Sequence, residues 1–248
     1  MKTIYILWLR QLKRYSRSKV LVFSSLAQPL LFLIALGFGF GPIYAQAGEG
    51  NYIQFLVPGI IATSILFTSI FTGIEIIWDK QFGFLKETLV APVSRFHIML
   101  GRTLGGATVA TIQGTIVLFL SMTIGFRPTS MFMVIPALIF MGLTAVLFSA
   151  FGTAIACNMN DMEAFPLIMN FLVMPLVFLS GALFPTESLP TVLRVVTKMN
   201  PLSYGIDGIR ATLTGLPLSS LLTDIFVLSL IAATFIAIGA YCFSKIEA

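Results

Sequence analysis

The sequence predicts an all-α integral membrane protein, built as a single transmembrane domain over residues 1–248. Three observations point there. Of 248 residues, 57% are apolar and only 10% are charged, whereas soluble chains carry roughly 25% charged residues. Six apolar runs are each long enough to cross about 30 Å of hydrocarbon at about 1.5 Å per residue. Eleven of the fifteen Lys and Arg residues fall on one side of those runs and four on the other. That imbalance predicts a multi-pass protein of the cell membrane with both termini in the cytoplasm.

Residues 1–19, "MKTIYILWLRQLKRYSRSK", carry six Lys and Arg residues. Ile4, Leu7, Trp8, Leu12 and Tyr15 form an apolar stripe at helical spacing, and Arg10, Lys13, Arg14 and Arg17 form a basic one. The pattern predicts an interfacial amphipathic helix with its cations near anionic lipid head groups. Two roles fit it: a topology anchor, or a lever joining the first span to a cytoplasmic partner. The first span, about 20–41, has no charge. "YAQA" at 44–47 offers a signal-peptidase pattern, but the preceding apolar run of about 21 residues exceeds the roughly 7–15 of a cleaved leader; a retained span is expected.

The remaining spans are expected at about 52–78, 100–126, 131–157, 164–184 and 219–243. Their only charges are Glu75, Arg102 and Asp224, each within about two turns of an end, where insertion costs far less than the roughly 2.5–3.5 kcal/mol of a central position. Prolines 29, 58, 136, 166 and 175 lie inside these runs, which neighbouring helices tolerate in a membrane bundle. The cysteines, Cys157 and Cys242, fall near cytoplasmic helix ends and are expected as free thiols.

Between the second and third spans lies "DKQFGFLKETLVAPVSRFHIMLGR", Asp79 to Arg102. Gly83 is expected to break the preceding helix. Phe84, Leu85, Thr88 and Leu89 then share one side of a short helix that Pro92 stops, and a further helix starts near Ser94. On residues alone this is a re-entry loop whose charges set topology. Glu75, Asp79 and Arg102 are candidates for a charge cluster bracing the flanking helices, with snorkelling of each to the interface as the alternative.

Several functions are excluded. No Gly-x-x-x-x-Gly-Lys-(Ser/Thr) occurs, so no P-loop can cradle ATP in this chain. The lone His97 and the distant cysteines make no metal site, and no serine in a span has histidine and acidic partners. The basic excess of five charges follows the membrane topology and does not indicate nucleic acid.

Two blocks carry a family resemblance. The first is the loop just described: an acidic residue after the second span, a glycine, a short Leu/Glu-containing helix, a proline, and then Leu-Gly-Arg at 100–102. The second is "FLSGALFPTESLPTVLRVVTKMNPLSYGIDGIR", residues 178–210. Together they resemble type-2 ABC exporter permeases, closest to the drug-exporter and nodulation-factor-exporter branch, and the resemblance extends over the whole chain in span number and spacing. It implies that residues 79–99 hold a cytoplasmic coupling helix that docks on a separate P-loop ATPase, with Gln81, Phe84, Leu85, Lys86, Glu87 and Leu89 as the docking residues. It implies that ATP and Mg are bound by two copies of that partner and no cofactor by this chain. It also implies a homodimer, or a heterodimer with a related permease, embedded in membrane lipid.

The same resemblance makes 185–218 an external segment of re-entrant half-helices separated at Asn200-Pro201, the residue before proline being pushed out of helical geometry. Tyr204 belongs to that motif, and Asp207 and Arg210, three apart on one helical face, are expected to pair. The implied function is export of a hydrophobic or amphipathic substrate. The few polar residues of the spans (Gln28, Thr63, Ser64, Thr68, Gln113, Asn170) fit such a cargo better than a small ion. Two other readings remain at this stage. A gradient-driven secondary transporter needs ionisable residues near mid-membrane, which the spans lack; a non-transporting scaffold would use the same loop.

Overall fold

A computed structural model describes residues 2–46, 50–84, 93–186, 190–215 and 221–245. The described residues form helices without strands, in chain order α1 (Lys2–Arg17), α2 (Lys19–Gln46), α3 (Tyr52–Phe71), α4 (Ile74–Gln81), α5 (Arg95–Ile124), a 3-10 turn (Met131–Met133), α6 (Val134–Cys157), α7 (Ala164–Phe178), α8 (Thr191–Met199), α9 (Pro201–Thr214) and α10 (Leu221–Ser244). Among the described residues, five segments are long and apolar enough to cross a membrane: α2, α3 with α4, α5, the turn with α6, and α10. Pro29 and Pro58 sit inside α2 and α3 without ending them.

The centre of the bundle is α3, α5 and α6, each packed against the other two; α10 lies against α5 and α6, and α2 rests mainly on α3. Pairing of this kind between apolar helices requires close fit, because lipid offers the same apolar surroundings as a neighbouring helix. Small residues supply that fit. Gly101 and Gly105 of α5, one turn apart, form a shallow groove for α1: a Cβ at Gly101 would stand 2.9 Å from Leu7 Cβ, and one at Gly105 would stand 2.6 Å from Gln11 Cγ. The Gly-x-x-x-Gly pattern therefore seats α1 within the chain. Trp8 locks the seat, its Nε1 donating to Thr108 Oγ1 at 3.0 Å. The buried stripe of α1 is Leu7, Gln11 and Tyr15, rotated from the purely apolar stripe by inclusion of Gln11.

The second span is not one continuous helix. It breaks at Thr72-Gly73, where Gly73 and Gly152 of α6 let two backbones touch: a Cβ on Gly73 would lie 2.6 Å from the Gly152 carbonyl oxygen, and one on Gly152 would lie 2.5 Å from that of Ile70. The sequence expectation of a fifth span over 164–184 also changes. Helix α7 ends at Phe178 after 15 residues, about 22 Å at 1.5 Å per residue, short of the roughly 30 Å of hydrocarbon. Gly181, with φ of 78°, turns the chain. Ser180 fixes that turn, donating to Val177 O at 2.7 Å and accepting from Ala182 N at 3.2 Å. Gly83 adopts φ of 80° directly after α4, a conformation that glycine enters without the Cβ penalty.

The backbone crossing at Gly152 predicts a selective cost. Gly152→Ala forces α6 away from Ile70 and is expected to lower stability by about 1–3 kcal/mol, a fall of a few degrees in the thermal unfolding midpoint of the purified protein. Gly142→Ala, on the same helix with nothing within 4 Å of the added carbon, is expected to leave the midpoint unchanged or raised.

Candidate functional site

The end of the bundle that carries α1 gathers most of the charge. Asp79, near the end of α4, is buried, its side chain 5% exposed. Arg10 of α1 grips it as a fork, Nη2 donating to Oδ1 at 2.8 Å and Nη1 to Oδ2 at 3.1 Å. Arg102 of α5, itself only 4% exposed, donates through Nη2 to Oδ2. One turn earlier on α4, Glu75 faces Arg14 of α1 at 3.4 Å, and the Arg14 guanidinium lies over the Trp78 ring, 4.8 Å from its centroid. Acids four residues apart on α4 thus meet arginines four apart on α1 in reversed order, 79 with 10 and 75 with 14, which makes the helices antiparallel partners.

These contacts differ in weight. An ion pair with one half-exposed partner contributes about 0–1 kcal/mol, which covers Glu75 with Arg14. Removing one partner of a buried pair costs about 3–5 kcal/mol, because a charge is left uncompensated out of water. Asp79 with Arg102 belongs to that second class. Of the predicted trio, the structure joins Asp79 and Arg102 directly, and Glu75 joins them through the shared helix and Arg14. Arg10 and Arg14 were assigned by the sequence to lipid head groups; their i, i+4 spacing, matching that of Glu75 and Asp79, is the signal that finds them.

Lys80, the next residue, points to a different neighbour. Its Nζ donates to Cys157 O and, at 3.0 Å, to Met159 O, capping the carbonyl end of α6, where a cation also meets the negative pole of the helix. Gln81 Nε2 donates to Asn160 O at 3.0 Å. The 157–163 turn has no Lys or Arg of its own and receives one from α4. Of the predicted docking residues, Gln81 is therefore engaged with this turn, Phe84 is exposed, and Leu85, Lys86, Glu87 and Leu89 lie outside the described residues.

The opposite end is held by the second predicted motif. Asn200 separates α8 from α9: its Oδ1 accepts from Leu202 N at 3.0 Å and its Nδ2 donates to Leu176 O at 2.7 Å, while Pro201 takes the first helical position, where its missing N–H costs nothing. Tyr204 donates its hydroxyl to Lys198 O at 2.7 Å. Asp207 and Arg210 stand 3.8 Å apart. Arg210 also donates to Gly181 O at 2.9 Å and lies 4.2 Å from the Phe55 ring centroid, pinning the turn after α7 onto α3 and α9. Among the described residues no group of three His, Cys, Asp or Glu side chains is placed to hold a metal.

Asp79→Ala leaves Arg102 buried and unpaired, and is expected to cost about 3–5 kcal/mol; Glu75→Ala is expected to cost about 1 kcal/mol or less. A double-mutant cycle on Asp79 and Arg102, read by thermal unfolding, is expected to show strong coupling, with the double replacement less harmful than the sum of the two single ones.

The sequence has known relatives. Nodulation protein J of Rhizobium meliloti (strain 1021) is 30% identical over 216 residues, 86% of this chain and 79% of that protein. Nodulation protein J of Rhizobium leguminosarum bv. viciae is 27% identical over 209 residues, 84% of this chain and 80% of that protein. A protein of Cyanophora paradoxa, ycf38, whose name places it among the transport permeases, is 29% identical over 210 residues, 84% of this chain and 72% of that protein. Residues 2–214 match the family described as ABC-2 type transporter, a span that includes both the charged base at Asp79 and the Asn200 to Arg210 motif. With its apolar helices and these matches, the chain is a multi-pass membrane protein that belongs to the ABC-2 type transporter family.

Proposed function

We propose that this chain is the membrane-spanning subunit of an ABC exporter, moving a hydrophobic or amphipathic substrate out of the cytoplasm with energy from ATP hydrolysis on a separate ATPase subunit. The observation that carries the reading is the mounting of the segment after α4. Just before it, Asp79 ties the last turn of α4 to α1 and α5, and Lys80 with Gln81 ties that turn to α6 and the 157–163 turn. A push delivered to residues 82–94 therefore meets a braced base and is passed to three other helices. Closure of two ATPases around ATP would bring two such loops together, an interface rotation of the kind that packed elements transmit as a unit.

In this reading both termini and the 79–99 segment face the cytoplasm of a cell-membrane protein, and 185–218 forms the external half-helices. Two copies, or one copy with a related permease, surround the path within membrane lipid. Phe84, Leu85 and Leu89 supply the apolar docking contacts and Lys86 and Glu87 the rim charges. Gln81 acts at the base of the loop, holding Asn160. ATP and Mg belong to the partner.

Purification of the tagged protein from its native membrane in mild detergent is expected to recover a P-loop ATPase. Leu85→Asp combined with Leu89→Asp is expected to lose that ATPase while the permease stays folded and dimeric. An intact permease dimer without any ATPase, in the unaltered protein and with ATP added, overturns the proposal and favours a gradient-driven transporter.

A further inference from the structure

A crevice of about 490 Å3 opens between α1, α2, α3 and α4, with Val109 and Gln113 of α5 completing its wall. Its two halves have different chemistry. Along α2 and α3 the hydroxyls of Thr63, Ser64 and Ser25 are already satisfied by protein: Thr63 Oγ1 donates to Gly59 O at 2.8 Å, Ser64 Oγ to Ile61 O at 2.9 Å and Ser25 Oγ to Val22 O at 2.9 Å. Gln113 accepts from Thr68 Oγ1 at 2.6 Å and donates to Ser25 O at 2.8 Å, stapling three helices. What this half offers a guest is apolar surface from Leu21, Phe32, Ile60 and Phe67. From Leu21 to Phe32 the wall runs about 16 Å at about 1.5 Å per residue, room for an extended alkyl chain of dodecyl length.

The half nearer α1 offers donors. Tyr15 lines it, is 7% exposed, and its hydroxyl has no hydrogen-bond partner among the described residues, a state that lowers stability unless a guest supplies an acceptor. Arg14 also lines it, 37% exposed. Against the five N–H donors of a guanidinium it has the single 3.4 Å approach to Glu75 and the face of Trp78. The acids nearby are already matched, Asp79 by Arg10 and Arg102 and Glu75 by Arg14, while Lys13, Arg17 and Lys19 follow on the same stretch of chain. The local excess is positive and donor-rich.

We propose that this crevice is a binding site for a long-chain amphiphile with an anionic, acceptor-rich head of the phosphate or carboxylate kind. The head sits against Arg14 and Tyr15 and the chain lies between α2 and α3. This deepens the export reading by naming the class of cargo, and it rests on that reading only for the statement that the guest is transported; the binding itself needs no ATPase. Of the six polar residues that stand out in the spans, Gln28, Thr63, Ser64, Thr68 and Gln113 line this one crevice and Asn170 does not; most of the five serve to fix its wall.

The test uses the full chain in nanodiscs of phosphatidylcholine without ATPase. The chain has two tryptophans; Trp8, bonded to Thr108, does not line the crevice, and Trp78 does, at the head-group end, so a ligand-dependent change in emission reports Trp78. Dodecyl phosphate is expected to change Trp78 emission saturably. Arg14→Gln is expected to weaken that binding about tenfold, the loss of one charge-assisted contact, and Tyr15→Phe to weaken it several-fold. Ser25→Phe, which fills the chain half and leaves the head half intact, is expected to abolish it, with unfolding temperature checked for each variant. Inorganic phosphate is expected to produce no change, and dodecanol and dodecyltrimethylammonium to bind about tenfold more weakly or less. An equal response to dodecyltrimethylammonium or to inorganic phosphate overturns the proposal, as does binding unaffected by Arg14→Gln and Ser25→Phe in folded protein. Such a failure leaves the export reading standing, and absence of an ATPase partner leaves the crevice standing.

Discussion

The carboxylate of Asp79, enclosed between the guanidiniums of Arg10 and Arg102, is the contact on which the rest of the base depends. Withdrawing one carboxylate from water costs several kcal/mol, so its burial persists only while cations approach from both sides. Arg10 comes from α1 and Arg102 from α5, and the requirement fixes three helices relative to one another. The seat of α1 on Gly101 and Gly105 delivers Arg10 to the right depth, and the salt bridge in turn holds α1 in the seat. Lys80 extends the brace to the end of α6. Two consecutive residues therefore clamp α4 to α1, α5 and α6 at the point where the chain leaves the bundle.

The other end obeys the same logic with weaker charges. There the chain breaks its helix at Gly181 and again at Asn200, and each break frees backbone carbonyls that must be satisfied away from bulk water. Arg210 takes Gly181 O, Tyr52 donates its hydroxyl to Leu183 O at 2.8 Å, and Asn200 takes Leu176 O. Polar side chains from distant helices hold irregular backbone in place at both ends, and the apolar middle is left to close packing. The crevice lies where these principles meet: its wall is stapled by Gln113, and its mouth is lined by the charges of the base.

Much of this was legible in the residues, because hydrophobic length and helix punctuation are local. The five long apolar segments, the amphipathic α1, the start of α5 after Ser94 and the split at Asn200-Pro201 all follow from patterns of a few residues. What was not legible depends on a partner distant in sequence. The break at Thr72-Gly73 has no proline to announce it and arises because Gly152 passes within backbone contact. Gly-x-x-x-Gly at 101–105 advertises a close helix neighbour without saying which, and the neighbour is α1. The basic face of α1 suits lipid and carboxylate equally; only the matching spacing of Glu75 and Asp79 distinguishes them. Helix α7 ends early because Ser180 and Gly181 build a turn whose stability comes from Arg210.

The central claim is that ATP drives two copies of the 79–99 segment together on a braced base. Its most direct test places a spin label at Ser94→Cys, an exposed position of that segment outside the docking contacts, with Cys157 and Cys242 replaced by serine, and measures the label-to-label distance in the assembled transporter before and after trapping with ATP and vanadate. The account predicts that the distance shortens on trapping, and that Asp79→Ala in protein that remains assembled blunts the change. A distance that does not alter when the ATPase closes would contradict it.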